Sequence, residues 1–462
     1  MSMSVDGLVS GMDTTSIISQ LLSVEAGPQT ALKIKLSTTQ TAASAYRTVN
    51  TTFLAVTAAA DAVLKPDLWT TTKATSSSST YATATASAGA LTGSLTFSVT
   101  QLATSHAVVN RNTGTWTAST AAYGASSIQV FDKSGTSKGT IAIGGTQTVA
   151  DAAKAINASP LGLTAAVVQI SSTEVGLQVT ATATGAASEF SFTGAGTFSR
   201  NSQGQDAQLS IGTINPYTVS SPTNTFSSVL PGTTITAVKA DTATPPTPVT
   251  VSVVSDPDAI ATKVSALVDA VNASNRTVKD YTSNATGSTA ALKGDYSVSS
   301  LGGALLDAVS FAVGTDGSPA KVGFTLQKDG TVVFDKTKFL AALKDTPALA
   351  QRMLAGAPAQ NPDGIAGNLD DVPAVTGIAA RLRAVAVSAS DATTGTLVTL
   401  ANGQDSMIKD IKDRIADWDL RLAKRKETLT RQFTAMETAL SSLKNQSNWL
   451  AGQLGSLPGP AS

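Results

Sequence analysis

One pentapeptide in this chain has the spacing of a hydrolase nucleophile: Gly135-Thr136-Ser137-Lys138-Gly139 fits G-x-S-x-G. That chemistry needs a serine on a sharp turn from strand to helix, beside a base that takes its proton. Alternating residues flank the motif on both sides, so the spacing predicts a hairpin turn instead. The single histidine, His106, is the only imidazole base on offer, and nothing in the sequence places it near Ser137. With one histidine and no cysteine, multi-histidine and thiolate metal sites, disulfides and cysteine nucleophiles are excluded. Asp132, Asp329 and Asp335 lack the spacing of a calcium loop. No glycine loop followed by Lys-Ser or Lys-Thr is present to cradle a phosphate. Acidic pairs such as Asp370–Asp371 fall in loops and read as solvated. The expectation is a protein that is not an enzyme, with no catalytic, metal-binding or cofactor-binding residues.

The residues that carry pattern are apolar, and they lie at the two ends of the chain. From Asp405 to Leu454, apolar side chains recur three and four apart: Ile408, Ile411, Ile415, Trp418 and Leu422, then Leu429, Phe433, Met436, Leu440, Leu443, Leu450 and Leu454. At about 1.5 Å per residue such a helix is on the order of 75 Å long, and its narrow stripe is a seam that needs a partner helix. Ile408, Ile415, Leu422 and Leu429 keep one seven-residue phase, but continuing it would put Arg425, Gln432 and Gln446 in the seam. Shifting by four after Leu422 recovers Phe433, Leu440 and Leu454. That stutter falls at the basic cluster Lys424, Arg425 and Lys426, read as a solvated face.

The N-terminus supplies the partner. From Leu32 the positions alternate four and three apart through Leu36, Thr39, Ala43, Tyr46, Asn50, Phe53, Thr57, Ala60 and Leu64, and Pro66 ends the run. Small and polar residues make this a weak seam. The two ends are therefore expected to pair as an antiparallel coiled-coil stalk, residues 30–64 against 405–440. Residues 5–11, VDGLVSG, read as irregular. Asp13 or Thr14 caps a short helix carrying Ile17, Ile18, Leu21 and Leu22, which Gly27–Pro28 ends. That helix has an apolar face with nothing local to cover it, and reads as an assembly element or a piece disordered until docked.

Between the ends the period changes. Leu95, Phe97 and Val99 alternate, as do Ile128 and Val130, Ile141 and Ile143, and Val175 through Ala181. Phe190 and Phe192, Leu209 and Ile211, and Val249, Val251 and Val253 continue the pattern, which predicts antiparallel sheets. Thr146 or Thr148 caps one helix with Val149, Ala152, Ala153 and Ile156. Residues 74–88 read as a linker or a polar edge strand, and Pro245, Pro246 and Pro248 as a hinge out of the region. Pro257 opens a helix striped by Ile260, Val264, Leu267, Val268, Val271, Val278 and Tyr281. A second helix follows Asp295, a two-residue hairpin turns at Asp329–Gly330, and a third helix runs from Phe339 to Leu349. Residues 356–374 are rich in Gly and Pro, and a helix resumes over Ile378–Val387. The fold class expected is α+β and multidomain. It comprises an N-terminal stalk segment (1–65), a β-rich head of two subdomains (66–257), an α/β leg domain with a hairpin (258–400) and a C-terminal stalk segment (401–462).

Net charge is zero, with 32 basic and 32 acidic residues, so nucleic acid is not expected as a partner. No apolar run approaches a membrane span, and no secretory signal peptide begins the chain. Residues 66–257 are about a third Ser or Thr, a composition closer to secreted β-rich proteins than to cytosolic enzymes.

Three stretches carry a family resemblance: GLVSGMDTTSIISQLLSVEAGP (7–28), VGFTLQKDGTVVFDKTKFLAAL (322–343) and RQFTAMETALSSLKNQSNWLAGQL (431–454). A fourth is QTVADAAKAINAS with the following AVVQI and GLQVTATATG, like the repeat shared by hook-associated proteins and flagellins. With these the chain resembles the flagellar filament cap family, also called flagellar hook-associated protein 2. The resemblance implies a homo-oligomeric ring, a pentamer or hexamer, at the distal tip of the filament outside the cell. It implies flagellin inserted and polymerised beneath the ring, contact with hook–filament junction proteins, and export through the flagellar type III apparatus. It also implies an export chaperone on the C-terminal segment, to which Leu443, Leu450 and Leu454 are assigned. The stalk and assembly residues are Ile17, Ile18, Leu21, Leu22, Leu32, Leu36, Tyr46, Phe53, Ile408, Ile415, Trp418, Leu422, Phe433 and Leu440. The rival readings are a hook–filament junction or other flagellin-like axial protein, a surface adhesin using the β-rich head, and a secreted hydrolase.

Overall fold

The structure, a computed structural model, describes residues 11–212, 214–359 and 374–455, with side chains described as far as 453. Residues 5–10, the pair Asp370–Asp371 and the side chain of Leu454 therefore lie outside the described residues. In chain order, helices α1 (Thr14–Glu25), α2 (Gly27–Leu64) and the single turn α3 (Pro66–Trp69) come first. Strands β1 (Thr72–Ser76), β2 (Ala82–Ala86), β3 (Gly93–Gln101), β4 (Ser105–Arg111), β5 (Ser127–Asp132) and β6 (Ser137–Ala142) follow. Helix α4 (Val149–Ala158) precedes β7 (Leu163–Ser171), β8 (Glu174–Thr184), β9 (Phe190–Thr193), β10 (Thr197–Ser202) and β11 (Ala207–Ile211). Then come β12 (Tyr217–Ser221), β13 (Thr225–Leu230), β14 (Thr233–Ala237) and β15 (Val249–Ser255). The remainder is α5 (Pro257–Thr282), α6 (Tyr296–Ser310), β16 (Phe324–Leu326), β17 (Val332–Phe334), α7 (Lys336–Asp345), α8 (Pro347–Ala355), α9 (Ile378–Ser390) and α10 (Thr396–Gly455). The fold is α+β and multidomain.

Two compact units result: Lys65–Ile260, and Met1–Leu64 together with Ala261–Ser462. The spans 258–400 and 401–462 thus fall almost wholly in the same unit as the N-terminal helices.

The unit Lys65–Ile260 holds two cores. In the first, the sheet β1-β15-β3-β11-β12 and the sheet β13-β14-β2 enclose Phe97, Leu209, Phe226, Ile235, Val249 and Val251. All its pairings are antiparallel, as period-two residues with one wet face require. In the second, β10-β4-β8-β7 and β6-β5-β9 enclose Trp116, Tyr123, Ile128, Ile156 and Leu177. Helix α4 closes this core. Thr148 and Asp151 form a reciprocal capping box at its start, and Val149, Ala152, Ala153 and Ile156 face inward.

One alternative holds here and one expectation fails. Of the two readings of residues 74–88, the polar edge strand is the one seen: β1 and β2 lie within 72–86, one at the edge of each sheet of the first core. Pro245, Pro246 and Pro248 are no exit hinge, because β15 follows them and inserts between β1 and β3. Prolines are tolerated where the chain leaves one sheet and re-enters another, outside both hydrogen-bond ladders.

In the other unit, α5 buries Val264, Leu267, Val271 and Val278, and Asp295 caps α6 by accepting from Val298 N. The β16–β17 hairpin turns through three residues, not two. Gly330 N donates to Gln327 O, Gly330 sits at φ +82°, and Asp329 Oδ1 accepts from Thr331 N. The single helix expected over Phe339–Leu349 is two, α7 and α8, because Pro347 drives Thr346 out of helical geometry. Helix α10 begins at Thr396, nine residues earlier than the expected Asp405, and runs through Gly403.

Candidate assembly surface

The first twenty or so residues of α2 and the middle of α10 lie antiparallel. Gln29 Nε2 donates to Asp419 Oδ1 at 2.5 Å, and Arg47 pairs with Asp405, so one chain rises while the other falls. Between them Leu32, Thr39, Ala43 and Tyr46 are buried and Leu36 is half-buried. On α10, Ile411 is buried and Ile408, Ile415, Trp418 and Leu422 are half-buried, on the expected stripe.

The pairing of 30–64 with 405–440 does not hold over its full length. Beyond Tyr46 the buried stripe of α2 is Val49, Phe53, Val56, Ala60 and Val63, where Asn50, Thr57 and Leu64 were expected. Other helices surround this half. Tyr46 OH donates to Asp295 Oδ2 at 2.6 Å, Thr52 and Ser274 share a hydroxyl hydrogen bond of 2.9 Å, and Asp61 accepts from Arg383 Nε at 2.5 Å. Burial beside Asp295 pushes the Tyr46 hydroxyl well above the usual tyrosine range, which keeps it a donor. Facing several neighbours rotates the apolar stripe by one residue. Asn50 is left half-buried, its Oδ1 without a hydrogen-bond partner among the described residues.

The helix that takes over α10 past Leu422 is α1, for which the sequence offered no local cover. Asp13 caps it, accepting from Ser16 N at 2.8 Å. Arg425 Nε donates to Glu25 Oε1 at 2.9 Å. Ile18 is buried and Ile17 and Leu22 are half-buried, whereas Leu21 and Val24 remain 44% and 80% exposed. Thr14, Ile18 and Leu22 face Thr430, Phe433 and Glu437 across a cleft of about 540 Å³. The burial along α10 follows the shifted phase: Leu429 is buried, Phe433, Met436 and Leu440 are half-buried, and Arg425 and Gln432 are exposed. The cluster Lys424, Arg425 and Lys426 is exposed.

From 442 to 453 every residue of α10 is exposed, including Leu443, Trp449 and Leu450, the last at 55%. Sequence reasoning missed Val24 and Trp449 on these faces, and Val49, Val56 and Val63 in the seam. The three seam valines repeat every seven residues, a signal that was present.

The polar candidates do not form a site. Gly135, at φ +84°, turns the β5–β6 hairpin, with Ser137 exposed at the start of β6. His106 is buried, accepts from Gly204 N at Nδ1 (3.4 Å) and stands edge-on to Phe190. Its burial pushes its pKa down, against the opposing charge of Glu189. Ser137 does not line the cleft that His106 shares with Asp132, Lys133, Glu189 and Arg200. Among the described residues no cluster is placed to hold a metal, and no helix is long and apolar enough to cross a membrane. What this chain presents is surface: amphipathic helices from both termini, paired in part and open in part.

Comparison with known proteins gives a consistent result. The family model for the flagellar hook-associated protein 2 C-terminus matches residues 204–445, and that for its N-terminus matches 10–106. The chain is 26% identical over 498 residues to the A-type flagellar hook-associated protein 2 of Pseudomonas aeruginosa, covering 99% of this chain and 98% of that protein. It is 29% identical over 187 residues to flagellar hook-associated protein 2 of Escherichia coli strain K12, covering 40% of this chain and 39% of that one. Its fold matches the crystal structure of the D1-D2-D3 domains of the flagellar cap protein FliD from Escherichia coli. There the TM-score is 0.58 at 23% identity, covering 78% of this chain and 99% of the other.

Proposed function

Because this chain belongs to the flagellar hook-associated protein 2 family, we propose that it caps the distal tip of a bacterial flagellar filament. There it promotes insertion and polymerisation of exported flagellin and prevents its loss to the medium. The observation that carries this reading is the α1–α10 pair, whose apolar faces are only half covered: Leu21, Val24, Leu443, Trp449 and Leu450 stand in water. Burying one such side chain stabilises by roughly 1.5–3 kcal/mol, so docking this end against other subunits is worth several kcal/mol per copy. The role is mechanical and requires no catalytic group. In this reading the protein leaves the cell through the flagellar type III apparatus, escorted by a chaperone on the C-terminal turns of α10. It then acts as a ring of five or six copies above flagellin, having passed the hook–filament junction proteins.

Immunogold labelling of filaments from the native bacterium tests the placement. Gold at one distal end per filament is the expected result. Label along the shaft, or only at the hook junction, would support the axial-protein alternative.

A further inference from the structure

The sheet β10-β4-β8-β7 ends in an edge that is guarded over half its length. Asn157, on α4, grips both backbone groups of Ala165: its Oδ1 accepts from Ala165 N at 2.7 Å and its Nδ2 donates to Ala165 O at 2.8 Å. Ala165 therefore points its N–H and C=O away from β8. In an antiparallel pair the direction alternates, so Val167 and Gln169 point theirs outward too. Neither of those backbones has a hydrogen-bond partner among the described residues. Edges are commonly blunted by Lys or Pro, yet residues 162–173 contain no proline and no charged residue.

The side chains beside this gap are apolar. Ala166, Val168 and Ile170 lie on the exposed face, with Val168 at 37% and Ile170 at 38% exposure. Val168 pairs with Gly176 on β8, which has no side chain to cover it. Ile170 folds down over that glycine, its Cδ1 2.8 Å from where a Cβ would stand. The result is a flat apolar shelf ending at two unpaired backbone residues.

We infer that this edge of β7 is a pairing surface for a second copy of this chain, joined antiparallel about Val168. The register makes the segment complementary to itself. Val168 then faces Val168 of the other copy, and Ile170 on each side faces the small Ala166. Val167 and Gln169 form two reciprocal pairs, giving four N–H···O=C bonds. Ala165, already held by Asn157, marks where the pairing stops. With no charge between Gly162 and Thr173, two copies approach without like-charge repulsion. Such a contact is isologous and closes at two copies, so it links subunits in pairs and does not propagate round a ring. It buries far less than the roughly 1,200 Å² of a standard interface, so it forms where copies are already concentrated. This inference rests on the edge alone and does not depend on the capping role.

The chain has no cysteine, which makes trapping clean. Val168 and its counterpart form a non-hydrogen-bonded pair with Cα atoms about 4.5 Å apart, within disulfide reach. The full-length Val168→Cys variant, oxidised at high protein concentration, is expected to give a covalent dimer on non-reducing gels. Thr100→Cys, exposed on β3, is expected to give none. Adding Gln169→Pro deletes two of the four hydrogen bonds without touching the β8 ladder, and should slow the cross-link on the order of tenfold. A mixture of Ile170→Cys and Ala166→Cys should cross-link, while either alone should not. Equal cross-linking of Val168→Cys and Thr100→Cys, or indifference to Gln169→Pro with unchanged circular dichroism, overturns the inference.

Discussion

Arg425 donates through Nε to Glu25 Oε1 at 2.9 Å, joining positions 400 residues apart. Both side chains are nearly half exposed, so the pair contributes little to stability. It instead marks register. Past the stutter, α10 lies against α1 and no longer against α2, and the four-residue phase shift is where one partner gives way to the other.

Ile18 and Leu21 should accordingly behave differently. Ile18→Ser exposes the α1–α10 seam and should lower amide protection throughout α1 while leaving the sheets intact. Leu21→Ser changes a side chain already in water and should leave protection as it was. Hydrogen exchange on the purified chain separates them, and equal effects would remove α1 from the seam.

The seam of α2 can be read by two neighbouring truncations. Val49 is fully buried, and Val49→Ala should cost about 2 kcal/mol through lost burial and a cavity. Asn50→Ala removes a carbonyl oxygen with no partner and should be neutral or stabilising. Denaturant melts decide, and the reverse ranking would restore Asn50 to the seam.

Alkaline pH should weaken the second core of the sheet unit. Burial pushes Tyr123 from 10.0 up to about 12, while its hydroxyl accepts from Asn110 Nδ2 at 3.0 Å. Between those values the unfolded chain has lost a proton that the folded one keeps. Stability is therefore full below pH 10 and falls as pH rises, by up to about 3 kcal/mol near pH 12. Tyr123→Phe should flatten this loss. An unchanged slope in paired melts at pH 9 and pH 11 would contradict it.

Leu443 and Leu450 are more than half exposed, so replacing both by Ser should leave the melting temperature of the isolated chain within error. A drop of several degrees would mean that these turns are already packed in the free protein.

Much of this architecture was legible where one period and one cap coincide. The capping box at Thr148, the Asp295 cap and the alternation of Val249, Val251 and Val253 each map onto a single element. The α10 stutter was legible too, because Arg425 and Gln432 cannot sit in a seam that Phe433 and Leu440 can fill. What escaped depended on tertiary neighbours. The seven-residue repeat of Val49, Val56 and Val63 stands in the sequence, but nothing local says that it outranks the neighbouring stripe through Asn50 and Thr57, or that α1 folds back on α10. Strands such as β1 (TKATS) and β2 (ATATA) are mostly Thr, Ser and Ala, and acquire sheet character only from the strands beside them.

The central claim is that the open apolar faces of the terminal helices do the work and no polar site in the sheets does. The direct measurement is the fraction of exported flagellin left monomeric in the culture medium of the native bacterium. It would carry Leu21→Ser with Val24→Ser in place of the wild-type chain. Both residues are exposed, so the variant is expected to fold. Shortened filaments with most flagellin unpolymerised in the medium is the result the account predicts. Filaments of normal length with no excess monomer, from a strain exporting the variant at wild-type levels, would contradict it.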